Sequence, residues 1–265
     1  MLPLAVTTAV KPTPAVEAQA QGLAAELQAP FAPRLGRPLP QIFADTEAEC
    51  LLIAGADHLR LRDRATGTEY FFHPNMFLIR GANALRGEPD HFLQATSLGP
   101  GDKLLDCTLG FASEAALASL AVGETGRVVG LESVPELAAV TRAGIEAFPM
   151  PHAVLRAALR RVQVVTADSG VFLRGCEARA FDAVYFDPFF DKRLTGSEAS
   201  VSPLFVFGNP APLDPAAVAE ACRVARRRVI IKYPRHEPLP DDVSARVTET
   251  IGSRKSRLAY GVISV

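Results

Sequence analysis

The sequence has few of the residues that build metal centres or disulfide-bonded domains. Its 265 residues include five histidines and four widely separated cysteines without paired spacing, Cys50, Cys107, Cys176 and Cys222. We therefore expect free thiols in a reducing compartment and no metal site. No run approaches the roughly 20 apolar residues of a membrane span, and the apolar first ten residues lack the basic segment of a signal peptide. These absences predict a cytoplasmic protein.

The chain also lacks an excess of charge of either sign. It carries 28 Lys and Arg against 29 Asp and Glu, for a net charge of −1. This balance excludes a general attraction to nucleic acid, so any binding of nucleic acid requires a local basic patch. Basic clusters occur at 160–161, 226–228 and 254–257, where solvated surface is the alternative.

The pattern of residues divides the chain into two regions. Residues 1–40 are rich in Pro, Ala and Gln and show little strand character. They predict a helix over 16–28 and a proline-rich tether laid over the surface at 30–40. Three strand-like segments follow at 50–54, 59–62 and 69–72, which predicts a small antiparallel meander. We assign residues 1–82 to a small N-terminal α+β subdomain and residues 83–265 to a larger domain.

The larger domain alternates between strand-like and helical segments. The predicted strands are 103–107, 127–131, 162–166, 183–186 and 228–232, and the predicted helices are 113–122, 135–148 and 214–226. This order predicts a doubly wound, mostly parallel α/β sheet of the Rossmann-like kind with helices on both faces. Segments 245–250 and 257–264, joined by a polar turn, predict a C-terminal antiparallel hairpin.

Acidic residues stand at the ends of the first four predicted strands. These strand ends deliver Asp106, Glu132, Asp168 and Asp187. Ligands of such sheets bind beyond the carboxyl ends of the strands, so these carboxylates are expected at one binding edge. The alternative for each acid is that it caps the helix that follows its strand.

The chemistry of these acids favours S-adenosylmethionine over a dinucleotide. A pyrophosphate requires a glycine-rich turn, but the stretch after Asp106 has no G-x-G-x-x-G pattern and a carboxylate there would repel phosphate. S-adenosylmethionine offers an ammonium, a ribose diol and an adenine amine, whose hydrogens carboxylates accept. We expect Asp106 and the turn at Gly110 under the methionine and ribose, Glu132 at the ribose hydroxyls, and Asp168 with Ser169 at the adenine amine.

The fourth strand ends in the most specific motif of the chain. Residues 184–190 resemble the (Asp/Asn)-Pro-Pro-(Tyr/Phe) motif of methyltransferases that modify exocyclic amines. We predict that Asp187 and the Pro188 carbonyl accept the two amine hydrogens, while Phe189 and Phe190 stack on the base. The alternative is a buried strand that ends in a proline turn, with both phenylalanines in the core.

Three basic residues near this motif are candidates for binding the substrate. Lys192 and Arg193 begin a long polar loop over 191–212, and loops of this length are usually functional or disordered. Lys232 ends the fifth strand at the same edge of the sheet. Its ammonium is placed either to contact a phosphate or to extend from the strand end into solvent.

Four of these segments together resemble a known family. The runs at 106–115, 131–133, 185–190 and 229–234 resemble the small-subunit ribosomal RNA guanine-N2 methyltransferase J family, and bacterial relatives share the run 72–76. The resemblance implies a methyltransferase fold, the cofactor S-adenosylmethionine and ribosomal RNA as partner. The predicted cofactor contacts, of which Ser113 and Glu114 come from the resemblance alone, are Asp106, Thr108, Gly110, Ser113, Glu114, Glu132, Ser133, Asp168, Ser169 and Asp187.

The chain departs from this family at three positions. Ala112 stands where the family usually has a second glycine, Ser113 replaces an arginine, and Asp191 replaces a proline. The leading hypothesis is methyl transfer to an exocyclic amine, guanine N2 in ribosomal RNA. The alternatives are a methyltransferase of a small molecule or a protein, a non-catalytic nucleotide- or RNA-binding module and, least favoured, a NAD-dependent oxidoreductase.

Overall fold

The computed structural model describes residues 3–189, 203–253 and 255–265, which form two compact units. The first unit contains residues 3–73, 134–149 and 203–209, and the second contains the other described residues. Among the described residues, none of the helices combines the length and the apolar character that crossing a membrane requires.

The strands and helices are numbered in chain order. The strands are β1 Leu4–Thr8, β2 Cys50–Ala54, β3 Leu59–Asp63, β4 Glu69–Phe71, β5 Lys103–Asp106, β6 Arg127–Glu132, β7 Val162–Thr166, β8 Phe181–Phe186, β9 Ala225–Pro234, β10 Glu249–Ile251 and β11 Leu258–Ser264. The helices are α1 Pro14–Glu26, α2 Leu39–Thr46, α3 Asn75–Leu85, α4 His91–Thr96, α5 Ser113–Val122, α6 Pro135–Ala147, α7 Ala153–Arg160, α8 Ser169–Gly175, α9 Pro203–Phe207, α10 Pro215–Val224 and α11 Asp241–Ser244.

The first unit is built on a four-stranded sheet in the order β1-β2-β3-β4. Strands β2, β3 and β4 form the predicted antiparallel meander. Helix α6 belongs to this unit, and the hydroxyls of Tyr70 in β4 and Thr141 in α6 lie 3.0 Å apart. Gly144 allows the same helix to approach β4, because a Cβ at this position would overlap Phe72.

The expectation of little strand structure in residues 1–40 was wrong. Strand β1 pairs in parallel with β2, and four of its five residues are buried. Residues 30–40 do not form a simple surface tether either, because Ala32 is buried against β1 and α2 begins at Leu39. The partner of β1 lies more than 40 residues away in the sequence, and local periodicity contains no information about such pairing.

The second unit contains the predicted doubly wound sheet, in the order β10-β11-β9-β8-β5-β6-β7. Strands β9, β8, β5, β6 and β7 are parallel, and β11 and β10 form the predicted C-terminal antiparallel hairpin. The first strand of the hairpin begins later than predicted, because α11 and the turn after it occupy residues 241–247. The sequence therefore predicted the type of sheet correctly.

Helices cover both faces of this sheet. On one face, Leu105, Val184 and Ile231 pack with Leu173 of α8 and Val218 of α10 in a single hydrophobic core. On the opposite face, Tyr185 packs edge-on against Phe92 of α4, with ring centroids 4.9 Å apart. This alternation along β8 is the pattern of a strand that is buried on both sides.

Candidate active site

The candidate site lies where the order of the parallel strands reverses. The chain runs outward from β5 through β6 to β7 and then returns to place β8 on the other side of β5. The amide of Cys107 donates to the Tyr185 carbonyl at 2.9 Å and extends the pairing to the ends of β5 and β8. Ligands of open α/β sheets bind at such a switch point.

The turn after β5 is shaped by two residues in the left-handed region. Gly110 has φ +50° and Ala112 has φ +56°. Glycine adopts this conformation at no steric cost whereas alanine is strained, which explains why glycine is common at the position of Ala112 in the resembling family. Leu109 anchors the turn, because its amide donates to the Leu131 carbonyl at 2.9 Å and its side chain packs over Gly130.

Asp106 is a buried carboxyl group at the end of β5, with 1% of its surface exposed. Its Oδ1 accepts a hydrogen bond of 3.0 Å from the Thr108 amide. Burial, together with the nearby Glu114 and Asp187, raises the pKa of Asp106 to about 8, although the bond from Thr108 opposes the shift. Asp106 therefore carries a proton through most of the neutral range.

Asp187 is fixed at the end of β8 by its backbone and by its side chain. Its amide donates to Thr108 Oγ1 at 2.7 Å, and its Oδ2 accepts from Lys232 Nζ at 2.7 Å. Burial and the negative Glu114 raise the pKa of Asp187, and the ammonium of Lys232 opposes the shift. The predicted residues Asp106, Thr108 and Asp187 are thus connected through one threonine.

A network of ion pairs continues from Asp187 to helices α3, α4 and α5. Lys232 Nζ lies 3.5 Å from Glu114 Oε1, and the same oxygen accepts from Arg80 Nη1 at 2.7 Å. Arg80 also donates to both oxygens of Asp90, at 2.9 and 3.0 Å. Burial disfavours charge on Glu114, but Lys232 and Arg80 outweigh it and lower the pKa of this carboxyl group.

Aromatic side chains pack beside this network. The Arg80 guanidinium lies 6.0 Å from the centroid of the Phe92 ring, which also packs against Tyr185 and Tyr260. The Tyr185 hydroxyl is buried and has no hydrogen-bond partner among the described residues. Burial and nearby carboxylates, chiefly Asp187, raise the pKa of Tyr185. This phenol is therefore neutral over the range in which enzymes work.

The remaining predicted cofactor residues lie at the ends of β6 and β7. Glu132 and Ser133 are half-buried, and the Glu132 carbonyl accepts from the Ala167 amide at 3.0 Å. Asp168 is exposed and caps α8, since its Oδ1 accepts from the Val171 amide at 2.9 Å. The structure therefore agrees with the helix-capping alternative for Asp168. The contacts of Asp168 and Ser169 with the adenine amine stay predictions.

The predicted substrate residues are described only in part. Pro188 and Phe189 are half-buried, whereas Phe190, Lys192 and Arg193 lie outside the described residues. Lys232 contacts two carboxylates, an arrangement that neither sequence alternative included, and its contact with a substrate phosphate stays a prediction.

Sequence reasoning missed Arg80 and Asp90. The predicted site residues follow from strand ends, whereas these two residues lie on α3 and immediately before α4. Glu114, to which Arg80 binds, was predicted only through the family resemblance. A cation on a helix before the sheet gives no sequence signal that connects it with a strand 150 residues later.

Comparison with known proteins places the chain among methyltransferases. No protein-family model matches the chain. It is 34% identical over 262 residues to the uncharacterized protein YpiP of Bacillus subtilis, covering 97% of this chain and 98% of that protein. It is also 28% identical over 246 residues to the ribosomal RNA small subunit methyltransferase J of Pseudomonas aeruginosa, covering 88% of this chain and 89% of that protein.

A solved structure shows the same fold over almost the whole chain. The structure is a SAM-dependent methyltransferase from Neisseria gonorrhoeae, with a TM-score of 0.64, 16% identity, and coverage of 98% of this chain and 95% of that chain. The predicted fold and the predicted family resemblance are confirmed. The chain therefore belongs to the family of YpiP and shares its fold with an S-adenosylmethionine-dependent methyltransferase.

Proposed function

We propose that the protein transfers a methyl group from S-adenosylmethionine to an exocyclic amine of RNA, namely N2 of guanine in small-subunit ribosomal RNA. The position of Asp187 carries the proposal: this carboxylate stands at the switch point of the sheet, is held at one oxygen, and is followed directly by Pro188 and Phe189. The proposal includes the cytoplasmic location expected from the sequence.

The residues at the switch point fit the cofactor by their charge. The ion-pair network contains three carboxylates (Asp90, Glu114 and Asp187) and two cations (Arg80 and Lys232), so its net charge is −1 while Asp106 is protonated. A negative site attracts a cationic ligand and repels a pyrophosphate. S-adenosylmethionine carries a sulfonium and an ammonium, and when bound it supplies an activated methyl group.

Asp187 and Pro188 are suited to hold an exocyclic amine. An amine attached to an aromatic ring is a weak nucleophile, because its lone pair is delocalised into the ring. Lys232 and Thr108 fix the orientation of Asp187, and we assign its Oδ1 and the Pro188 carbonyl as the two acceptors of the amine hydrogens. Holding both hydrogens localises the lone pair and aims it, and orientation of this kind supplies several kcal/mol of barrier lowering.

The raised pKa of Asp187 predicts how the rate of methyl transfer depends on pH. As the solution becomes acidic, protonation of this carboxylate removes the acceptor of the amine hydrogen at a higher pH than for an ordinary aspartate. Lys232 limits this loss, because its ammonium favours the ionised carboxylate. The rate of methyl transfer is therefore expected to fall as the solution becomes acidic.

The choice of RNA is supported by the methyltransferase J relatives, whose name specifies small-subunit ribosomal RNA. The sequence at 187–190 supports the choice of an exocyclic amine, because it matches the amine-methyltransferase motif at Asp187, Pro188 and Phe190. It departs from that motif at Phe189. Contacts of Lys192, Arg193 and Phe190 with the RNA belong to the same proposal.

The test is the replacement of Asp187 by Ala, with Asn as the conservative variant. In Asp187→Ala, incorporation of labelled methyl groups into unmodified small-subunit ribosomal RNA should fall by at least about a hundredfold, while binding of S-adenosylmethionine, measured by calorimetry, falls only modestly. Asp187→Asn keeps an acceptor oxygen and should retain more of the turnover than Asp187→Ala. Asp182→Asn is the matched control, because Asp182 lies on the same strand and bonds to the Lys103 amide at 2.8 Å.

Nucleoside mass spectrometry of the product separates the parts of the proposal. N2-methylguanosine is the expected product. Another methylated nucleoside would overturn the guanine assignment but leave the amine chemistry standing. Normal turnover by Asp187→Ala would remove Asp187 from the reaction.

A further inference from the structure

On one side of the sheet of the first unit, helix α2 packs over strands β1 and β2. Register places Leu51 opposite Arg62 and Ile53 opposite Arg60, so these four side chains point to the same side of the sheet. Leu51 and Ile53 are buried beneath α2, in a core with Ile42 and Phe43. The β3–β4 part of this side instead presents polar and aromatic residues to solvent.

This part of the sheet, which we call the outer β3–β4 face, consists of Arg60, Arg62, Glu69 and Phe71. Register pairs Arg60 with Phe71 and Arg62 with Glu69. The two arginine side chains are 36% and 38% exposed, and Phe71 is 41% exposed. An exposed phenylalanine between cations on a sheet is not required by the core of the unit.

The charge of the outer β3–β4 face is positive. Glu69 bonds to Arg62 at 2.8 Å and lies 3.9 Å from Arg60, so one carboxylate faces two guanidinium groups. Two cations against one anion leave this face a charge of +1 within a chain whose net charge is −1.

Aromatic rings extend this face along its edge. The Phe71 ring lies 5.6 Å from the His58 ring and 5.3 Å from the His73 ring, measured between centroids, with interplanar angles of 48° and 65°. The histidines thus support Phe71 at its sides. Proteins that bind single-stranded nucleic acid combine such ring platforms, on which bases stack, with cations that contact the phosphates.

We propose that the outer β3–β4 face binds single-stranded RNA, with Arg60 and Arg62 on backbone phosphates and an unpaired base stacked on Phe71. This inference rests on the proposed function, because it gives the RNA substrate a second contact surface outside the switch point. The occupant is single-stranded, since a base within a duplex does not expose the flat face that stacking requires.

Binding of a fluorescein-labelled, unstructured oligoribonucleotide to the full chain, followed by anisotropy at several salt concentrations, tests this proposal. The double variant Arg60→Gln with Arg62→Gln should bind at least about tenfold more weakly. The slope of log affinity against log salt should become shallower by about 1.4, which corresponds to two lost phosphate contacts on a single strand. The matched control, Arg86→Gln with Arg142→Gln, removes the same charge from two exposed arginines that pair with Glu88 and Glu26.

Phe71 is tested by exchanging its ring. Phe71→Leu should weaken binding by about fivefold to a hundredfold, whereas Phe71→Tyr, which keeps the ring, should bind as the natural chain does. Circular dichroism confirms that each variant is folded. Natural affinity in both the double arginine variant and Phe71→Leu, or the absence of salt-dependent RNA binding by the natural chain, would overturn the proposal.

The methyl-transfer assay distinguishes this proposal from the proposed function. If the natural chain binds RNA through Arg60, Arg62 and Phe71 but methylates no RNA, the proposed function fails and the RNA-binding face stands. If the natural chain methylates RNA and the face variants retain both affinity and turnover, only the face is refuted.

Discussion

Asp106 and Asp187 end adjacent strands of the sheet, but their surroundings differ. Asp187 bonds to an ammonium, whereas Asp106 bonds to a backbone amide and is fully enclosed. The negative charge of Asp187 is therefore balanced by Lys232, whereas the Asp106 carboxyl group is neutral at pH 7 because its pKa is about 8. The sequence showed two aspartates in equivalent positions and contained no sign of this difference, because burial and distant cations produce it.

The raised pKa of Asp106 predicts a specific dependence of stability on pH. Between about pH 4 and about pH 8 the folded chain retains a proton that the unfolded chain has lost. The free energy of unfolding therefore decreases as the pH rises through this range, by at most about 1.4 kcal/mol per pH unit. The side chain of Asp106→Asn does not ionise and still accepts from the Thr108 amide. The melting temperature of this variant minus that of the natural chain should therefore increase with pH.

Thermal unfolding of both proteins followed by circular dichroism, at about pH 5, 7 and 9, measures this difference. A difference in melting temperature that stays constant across the range would show that Asp106 ionises normally in the folded chain.

At the scale of elements, the approach of β6 to the turn after β5 depends on one glycine. A side chain at Gly130 would overlap Leu109, the residue that anchors the turn. We expect Gly130→Ala to destabilise the fold by about 1–3 kcal/mol and to weaken binding of S-adenosylmethionine, because the turn must move. Denaturant unfolding and calorimetry measure the two effects.

Two further variants make this prediction specific. Gly175→Ala is the control, because a methyl group there meets no atom within 4 Å. Removing the opposing side chain, in Gly130→Ala with Leu109→Ala, should restore part of the binding that Gly130→Ala loses. Unchanged cofactor affinity in Gly130→Ala alone would show that the turn does not form part of the cofactor site.

The sequence predicted the second sheet well and the first sheet only in part. The strand predicted at 162–166 and the helix predicted at 113–122 coincide with β7 and α5, because alternation and apolar runs determine such elements locally. Strand β1 was missed because its partner is remote. The network through Arg80 was missed for the same reason: tertiary packing alone brings α3, α5 and β9 together at one carboxylate.

At the scale of the whole molecule, the first unit is discontinuous in sequence. Residues 3–73 fold with residues 134–149, which lie between β6 and β7 in chain order. Leu61 and Tyr70 are buried on the side of their sheet that faces α6, where Tyr70 bonds to Thr141. A chain that ends before α6 lacks the helix that packs on this apolar side and would leave the side in water.

The domain predicted over residues 1–82, which remains a prediction, should therefore not fold when it is produced alone. Its circular dichroism spectrum should lack a cooperative thermal transition, and its amide resonances should be poorly dispersed. Tyr70→Phe in the full chain is the matched control, since it removes the hydrogen bond to Thr141 but leaves α6 in place, and it should cost about 1 kcal/mol. A cooperative transition in the isolated fragment would show that the four-stranded sheet is stable without α6, and that the boundary predicted from sequence is a true domain boundary.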